Sequence, residues 1–325
     1  MIPIPSPEEL LPGFWRIVLP LPFELSKINV FLVRLHDGMM LVDCGISAGD
    51  SFSALQSSLS QIGFDLSSIT KILLTHFHPD HIGLAPLIHS ASNAPMFMHR
   101  ADVAHLNAIN RNGTRESWMH HIVVESGVPG GLAESIESCS ADPDFQLAAL
   151  PSVIPVEGGE VLDTALGPVE LVWTPGHSPG HICLYFRESK TLVTGDHVLP
   201  KISPNITWSK DSDALGDYLA SLDKIGAYDV SLAVPSHGEP FADLAGRVNE
   251  LKQHHVNRCA QILAALVRGS ETAHQLVCEL WPRKLSPIHH WFALFEVLAH
   301  LEYLRRRDQV VFEVDRGICK WRNIK

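Results

Sequence analysis

Strand-length runs of β-branched, aromatic and aliphatic residues, each closed by turn residues, recur along the first three-quarters of the chain. "FWRIVLP" (14–20), "INVFLVRL" (28–35) and "MMLVDC" (39–44) predict strands, and "HDG" at 36–38 makes the last two a hairpin. Phe52, Leu55, Leu59 and Ile62, three and four residues apart, predict a helix over 49–62. "KILLT" (71–75) reads as a buried strand, followed by a short helix over 83–90 and a strand "PMFMH" (95–99). Residues 101–150 then turn polar and rich in His, Asn and Ser, with helical stretches around 101–109, 114–126 and 131–139; such an insertion commonly caps a site. Strands resume at "VELVWT" (169–174), "HICLYF" (181–186) and "TLVTG" (191–195), then come a loop (197–211), a helix (212–226) and a strand "VSLAVPS" (230–236). Two halves, each a run of strands ending in helices, place the chain in the α/β class.

Beyond residue 245 the pattern changes to helices over 246–267, 272–281 and 291–307, then "VVFEV" and "ICKWR" around "DRG". Three helices and a hairpin outline a winged helix, so the expected division is a catalytic domain (1–244, with 101–150 as cap) and a small C-terminal domain (245–325). Apolar residues make up 46% of the 325 and charged residues 19%, ample for a large core. No run approaches the roughly 18 apolar residues of a membrane span. The start, "MIPIPSPEELLPG", lacks a basic segment before a hydrophobic one, and the six cysteines are scattered without a CxxC pair. A cytoplasmic protein with reduced thiols is the expectation. From residue 246 onward, 13 Lys and Arg face 8 Asp and Glu, a net of +5; the preceding residues carry −16 of the total −11. An acidic body repels extended phosphate backbones.

The chemistry concentrates in "THFHPDHIG" (75–83). Leaving a strand, residues two apart point the same way, so His76 and His78 can grip one ion, while Asp80 and His81 in the turn beyond can face a second. Further candidates stand at other strand ends: His177 in "TPGHSPGH", Asp196 in "TGDH" and His237 in "PSHG". Nitrogen and carboxylate donors without thiolate suit Zn2+ foremost, and also Fe or Mn. His181, His197, His120 and His121 are weaker candidates for places behind the ligands.

In these residues the chain resembles the metallo-β-lactamase superfamily, over roughly 12–240. His76, His78, Asp80, His81, His177, Asp196 and His237 match the family's motifs, and Asp43 in "LVDCG" matches the first of them. The resemblance implies a four-layer αβ/βα sandwich with the site along one edge of two facing sheets. It implies His76, His78 and His177 on one ion, Asp80, His81 and His237 on the other, Asp196 bridging, and Asp43 behind the ligands orienting one of them. It further implies hydrolysis by a water that the two ions ionise, with Asp80 as proton-handling group.

Asp196 is present where β-lactam-opening relatives replace or lack the bridging carboxylate, which argues against a β-lactamase. Glyoxalase II-like thioesterases share the ligand set but not this C-terminal segment. Lactonases of the family place a tyrosine where this chain has Leu199. The loop 197–211 should border the metals, with Lys201, Asn205 and Trp208 as candidate substrate contacts. The expected substrate is a small ester, thioester or lactone. The alternatives are a single-strand endoribonuclease of the winged-helix branch, a hydrolytic dehalogenase and a non-hydrolytic iron redox protein. A homodimer is a further expectation for the C-terminal segment; nucleic acid and membrane partners are not expected.

Overall fold

The computed structural model of the protein describes residues 5–22, 24–111, 115–140, 149–210 and 212–324. Parts of the expected cap (112–114 and 141–148) and position 211 of the loop lie outside the described residues.

Two sheets face each other. The first runs, in order, β1 (Glu8–Leu11), β2 (Phe14–Pro20), β3 (Lys27–Leu35), β4 (Gly38–Val42), β5 (Ile69–Leu73), β6 (Met96–His99) and β7 (Val153–Val156). It is antiparallel through β4 and parallel from β4 to β7. The second holds β8 (Val161–Thr164), β9 (Gly167–Trp173), β10 (Ile182–Phe186), β11 (Thr191–Gly195) and β12 (Leu232–Pro235), in the order β12-β11-β10-β9-β8. Period-two alternation assigns the faces. In β10, Ile182, Leu184 and Phe186 enter the core between the sheets, while Cys183 and Tyr185 face outward onto helices. In β4, Met40 and Val42 face inward, and Met39 and Leu41 face the opposite way. With both faces covered, these strands read as unbroken apolar runs.

The outer layers are helical. Leu55 and Leu59 of α1 (Ser51–Gln61) pack on the first sheet. After α2 (Pro79–Ile82), Ala85 and Ile88 of α3 (Ala85–Ser92) join them. The insertion supplies α4 (Arg100–Arg111), α5 (Arg115–Glu125) and α6 (Gly130–Ser140). Leu215, Tyr218, Leu222 and Ile225 of α7 (Ala214–Gly226) cover the second sheet, together with Leu244, Val248 and Leu251 of α8 (Leu244–Arg268). The four layers that the resemblance implies are therefore present. β1, β7 and β8 were not predicted; each has only four residues, β1 and β8 are partly polar, and β7 (Val-Ile-Pro-Val) is interrupted by a proline.

The C-terminal part continues with α9 (Ala273–Leu280), α10 (Pro287–Arg305) and a hairpin of β13 (Val310–Asp315) and β14 (Ile318–Asn323). The sequence predicts one broad apolar face on α10. Instead the helix is buried nearly all round, including Trp291, Phe295, Glu296, Ala299 and His300 besides Leu294, Val297, Leu298, Leu301 and Leu304. The reason is its central place: α10 packs in one apolar cluster with α8, α9, Val310, Trp321, and Met119, Ile122, Val123, Ala133 and Ile136 of α5 and α6. Residues that sequence patterning divides between an insertion and a C-terminal segment thus share a core. About 38 Å long, α8 runs from the second sheet into that core, where Ile262, Ala265 and Leu266 lie.

Candidate metal centre

Loops leaving β4, β5, β9, β11 and β12 deliver every side chain of the predicted cluster to one edge of the sandwich. Proline shapes the first of them. Pro79 opens α2 with its fixed φ and forces His78 into an extended conformation (φ −66°, ψ 150°). His76 and His78 therefore leave the strand as an extended pair, and Asp80 and His81 follow within a helical turn.

Two groups form. His76 Nε2 and His78 Nδ1 are 3.0 Å apart, and His177 Nε2 is 3.2 Å from the first and 3.0 Å from the second. A tetrahedral ion with Zn–N bonds of about 2.0–2.1 Å spaces its nitrogens by ~3.3 Å. In the second group, Asp80 Oδ2 lies 3.3 Å from His237 Nε2 and 3.8 Å from His81 Nε2. One oxygen, Asp196 Oδ2, reaches both: 3.7 Å to His177 Nε2, 3.6 Å to His81 Nε2 and 3.5 Å to His237 Nε2. His76, His81, His177, His237 and Asp196 are buried, while His78 and Asp80 are half-buried, so the site opens on their side.

The hydrogen-bond network sets the tautomers. His177 Nδ1 donates to the Asn205 carbonyl (2.7 Å), His237 Nδ1 to the Lys27 carbonyl (3.0 Å) and His81 Nδ1 to Asp43 Oδ2 (2.7 Å). Thr75 Oγ1 gives its proton to Asp43 (2.8 Å) and so accepts from His76 Nδ1 (3.0 Å). Four rings thus spend Nδ1–H on the scaffold and aim Nε2 at the site. Burial, then repulsion from neighbouring imidazoles, holds His76 and His78 well below the usual histidine pKa; burial also lowers His177. Three neutral nitrogens at about 3 Å cannot all be satisfied by one another's protons. His81 Nε2 and Asp196 Oδ1 have no hydrogen-bond partner although buried. In the second group burial would lower His237, but Asp196 and Asp80 outweigh it and lift its pKa to about 10. Burial would likewise raise Asp80, but His81 and His237 hold it at about 2. The donor set and the orphaned atoms fit divalent cations.

Asp43, fully buried with φ 60°, also takes the Thr75 N–H on Oδ1 (2.8 Å) and so ties the start of the His76–His81 loop to its end at His81. His181 accepts the Asp196 N–H at Nε2 (3.1 Å) and fixes that loop. Gly195, at φ 52°, is needed there because a Cβ would lie 2.5 Å from His181 Nε2. His197 is buried against Tyr218, and His120 of α5 pairs with Glu137 of α6. Among the loop candidates, Asn205 meets the site through its carbonyl. Trp208 packs toward Phe295 of α10, with ring centroids 6.4 Å apart. Lys201 lies exposed on a cleft of about 350 Å3 with Arg247, Glu250 and His254.

Sequence reasoning missed Thr75, Asn29 and Asp102. Asn29 holds the His237 loop through the carbonyls of Pro235 (2.9 Å) and Gly238 (2.8 Å). Asp102, buried in the first turn of α4, stands behind the first group; the rule that strand ends carry the chemistry, applied to β6, would have flagged it. Elsewhere, His254, His255 and Glu296 also cluster, but Arg258 Nε, 3.6 Å from the carboxylate, already supplies its cation.

Comparison with known proteins gives the family and the fold. The profile of the metallo-beta-lactamase superfamily matches residues 24–237, and that of a metallo-beta-lactamase-like C-terminal domain matches 259–324. The chain is similar to the probable metallo-hydrolase YqjP of Bacillus subtilis, with 26% identity covering 90% of this chain and 92% of that protein. It is also similar to an atrochrysone carboxyl ACP thioesterase of a Cryptosporiopsis species, with 24% identity over 98% and 88%. Among solved structures, a metallo-beta-lactamase family protein of Thermus thermophilus superposes with a TM-score of 0.85 at 30% identity, covering 97% of this chain and all of that one.

Proposed function

The chain belongs to the metallo-beta-lactamase superfamily, and on that footing we propose that it is a hydrolase using two divalent ions, Zn2+ foremost, to cleave a small-molecule thioester or a related ester or lactone. The observation that carries this reading is the set of tautomers: scaffold acceptors take the Nδ1 protons, and ring lone pairs converge on two adjoining points joined by Asp196 Oδ2.

A pair of divalent cations bound there supplies Lewis acidity and a water ionised near neutral pH. The chain's own groups do the rest. Asp196, its backbone held by His181, keeps the two points at a fixed separation. Asp80 is the carboxylate on the open side, and its Oδ2 can hold a proton and pass it to the leaving group. A thiolate needs less of that help than an alkoxide, which favours thioesters for a centre with one part-exposed acid. The similarity to a named thioesterase supports the same choice. The ribonuclease alternative is disfavoured by the −16 charge ahead of residue 246. The arginines ending α10 are also engaged: Arg305 and Arg306 pair with Glu302 (2.7 and 2.8 Å), and Arg307 with Asp213 (3.0 Å).

The test is elemental analysis of unchelated protein, then turnover of thioesters, lactones, aryl esters, phosphodiesters and single-stranded RNA by the Zn2+-, Mn2+- and Fe2+-loaded chain. Two ions per chain with thioester turnover is expected. One ion or none after loading, or turnover confined to RNA, refutes the proposal.

A further inference from the structure

Asp102 has no exposed surface, and its carboxylate accepts three hydrogen bonds. Oδ2 takes the Phe77 N–H (3.1 Å) and the Ser178 hydroxyl (2.8 Å); Oδ1 takes the Gly180 N–H (2.6 Å). Phe77 stands between His76 and His78, Ser178 follows His177, and Gly180 precedes His181. A single side chain on α4 therefore grips both loops that carry the first histidine group. The fit is close: a Cβ on Gly180 would lie 2.6 Å from Asp102 N and 2.8 Å from its carboxyl carbon, so only glycine is admitted. Burial lifts the Asp102 pKa to about 7 in spite of the three hydrogen bonds, none of which comes from a compensating cation.

The charge pattern says where that cation would be. Three neutral imidazoles bring no charge to the first ion, whereas the second has Asp80 as a ligand and Asp43 behind His81. With Asp196 shared, one further carboxylate on the first side balances two divalent ions. We propose that Asp102 is a positioning residue for the first ion: it locks the His76–His78 loop to the His177 loop and supplies the buried negative charge that this ligand triad lacks. This rests on the two-ion reading of the site.

Asp102→Asn is the informative change. Both carboxylate oxygens face backbone N–H groups, so the new NH2 meets a donor whichever way the amide turns. Zn2+ affinity is measured by chelator competition on the full chain. Each ion is read alone, the first in a His237→Ala background and the second in a His177→Ala background. Expected is an affinity loss of about 10–100-fold at the first ion, an altered Co2+ absorption spectrum there, and a second-ion affinity within about threefold. The metal-induced rise in Tm shrinks accordingly, which a merely structural defect would not produce. Should Asp102→Asn fail to fold, Ser178→Ala reads the same clamp and should weaken the first ion by about threefold, the effect of one hydrogen bond. A wild-type chain that binds no metal sinks the two-ion reading itself. Normal wild-type binding with unchanged first-ion affinity in the folded variant overturns the role of Asp102 alone.

Discussion

Replacing Asp43 by asparagine should reverse a chain of protons while leaving the fold nearly intact. Asp43 sits at φ 60°, a conformation asparagine tolerates as well as aspartate. The Thr75 N–H can only donate, so the amide oxygen must stay at the Oδ1 position. The NH2 then occupies the Oδ2 position, facing His81 Nδ1 and Thr75 Oγ1, and donates to both. His81 must move its proton to Nε2, the atom aimed at Asp80 and Asp196. Thr75 Oγ1, now an acceptor there, turns its own proton to His76 Nδ1 and drives that proton to Nε2 as well. The Thr75 N–H bond is kept and the other three are remade with opposite polarity, so the stability cost should stay within about 1 kcal/mol. Metal affinity should fall about 10–100-fold, most at the second ion, because the ligand lone pairs are now capped by protons. The assay is chelator competition for Zn2+, with 15N-edited NMR of the metal-free imidazoles to read which nitrogen carries hydrogen. Nδ1–H at His81 persisting in the variant, or both ions bound as tightly as in wild type, refutes the reasoning.

Asp80→Asn should keep most of the metal yet lower turnover by roughly 10²-fold or more, and near-normal turnover would show that another group handles the proton. Glu296 is held at a pKa of about 2: burial would raise it, but the neighbouring imidazoles, His300 first, and Arg258 outweigh that. Because His255 and His300 are themselves kept neutral by burial at pH 7, Arg258 is the standing charged partner, and the ionised carboxylate contributes to stability. With the folded pKa depressed, that contribution is full above about pH 4.5 and lost as pH falls toward 2. Urea denaturation should show the deficit of Glu296→Gln shrinking below pH 4.5, and a gap independent of pH would contradict it. Deleting residues 246–325 should give insoluble or dye-binding protein, since Met119, Ile122, Val123 and Ile136 lose the core they share with α10; a soluble, monomeric remainder with normal metal content would refute this.

The candidate metal ligands were legible because each is encoded locally. A strand too apolar to be anything but buried ends in His, Asp or both, and Pro79 forces the turn after His78 whatever the rest of the chain does. The central strands were legible for a related reason, since strands covered on both faces must be apolar throughout, while their stacking in four layers came from the family resemblance. What stays silent in one dimension is partnership. Nothing near Asp102 in sequence says that it meets Gly180, and nothing near Asn205 says that its carbonyl, not its side chain, faces His177. The periodicity of α10 suggested one buried face, because a sequence window cannot count how many neighbours surround a helix. Local spacing determined which side chains could hold metal. Only the tertiary structure decided which nitrogen of each ring is presented, because that choice belongs to acceptors brought from other strands and loops.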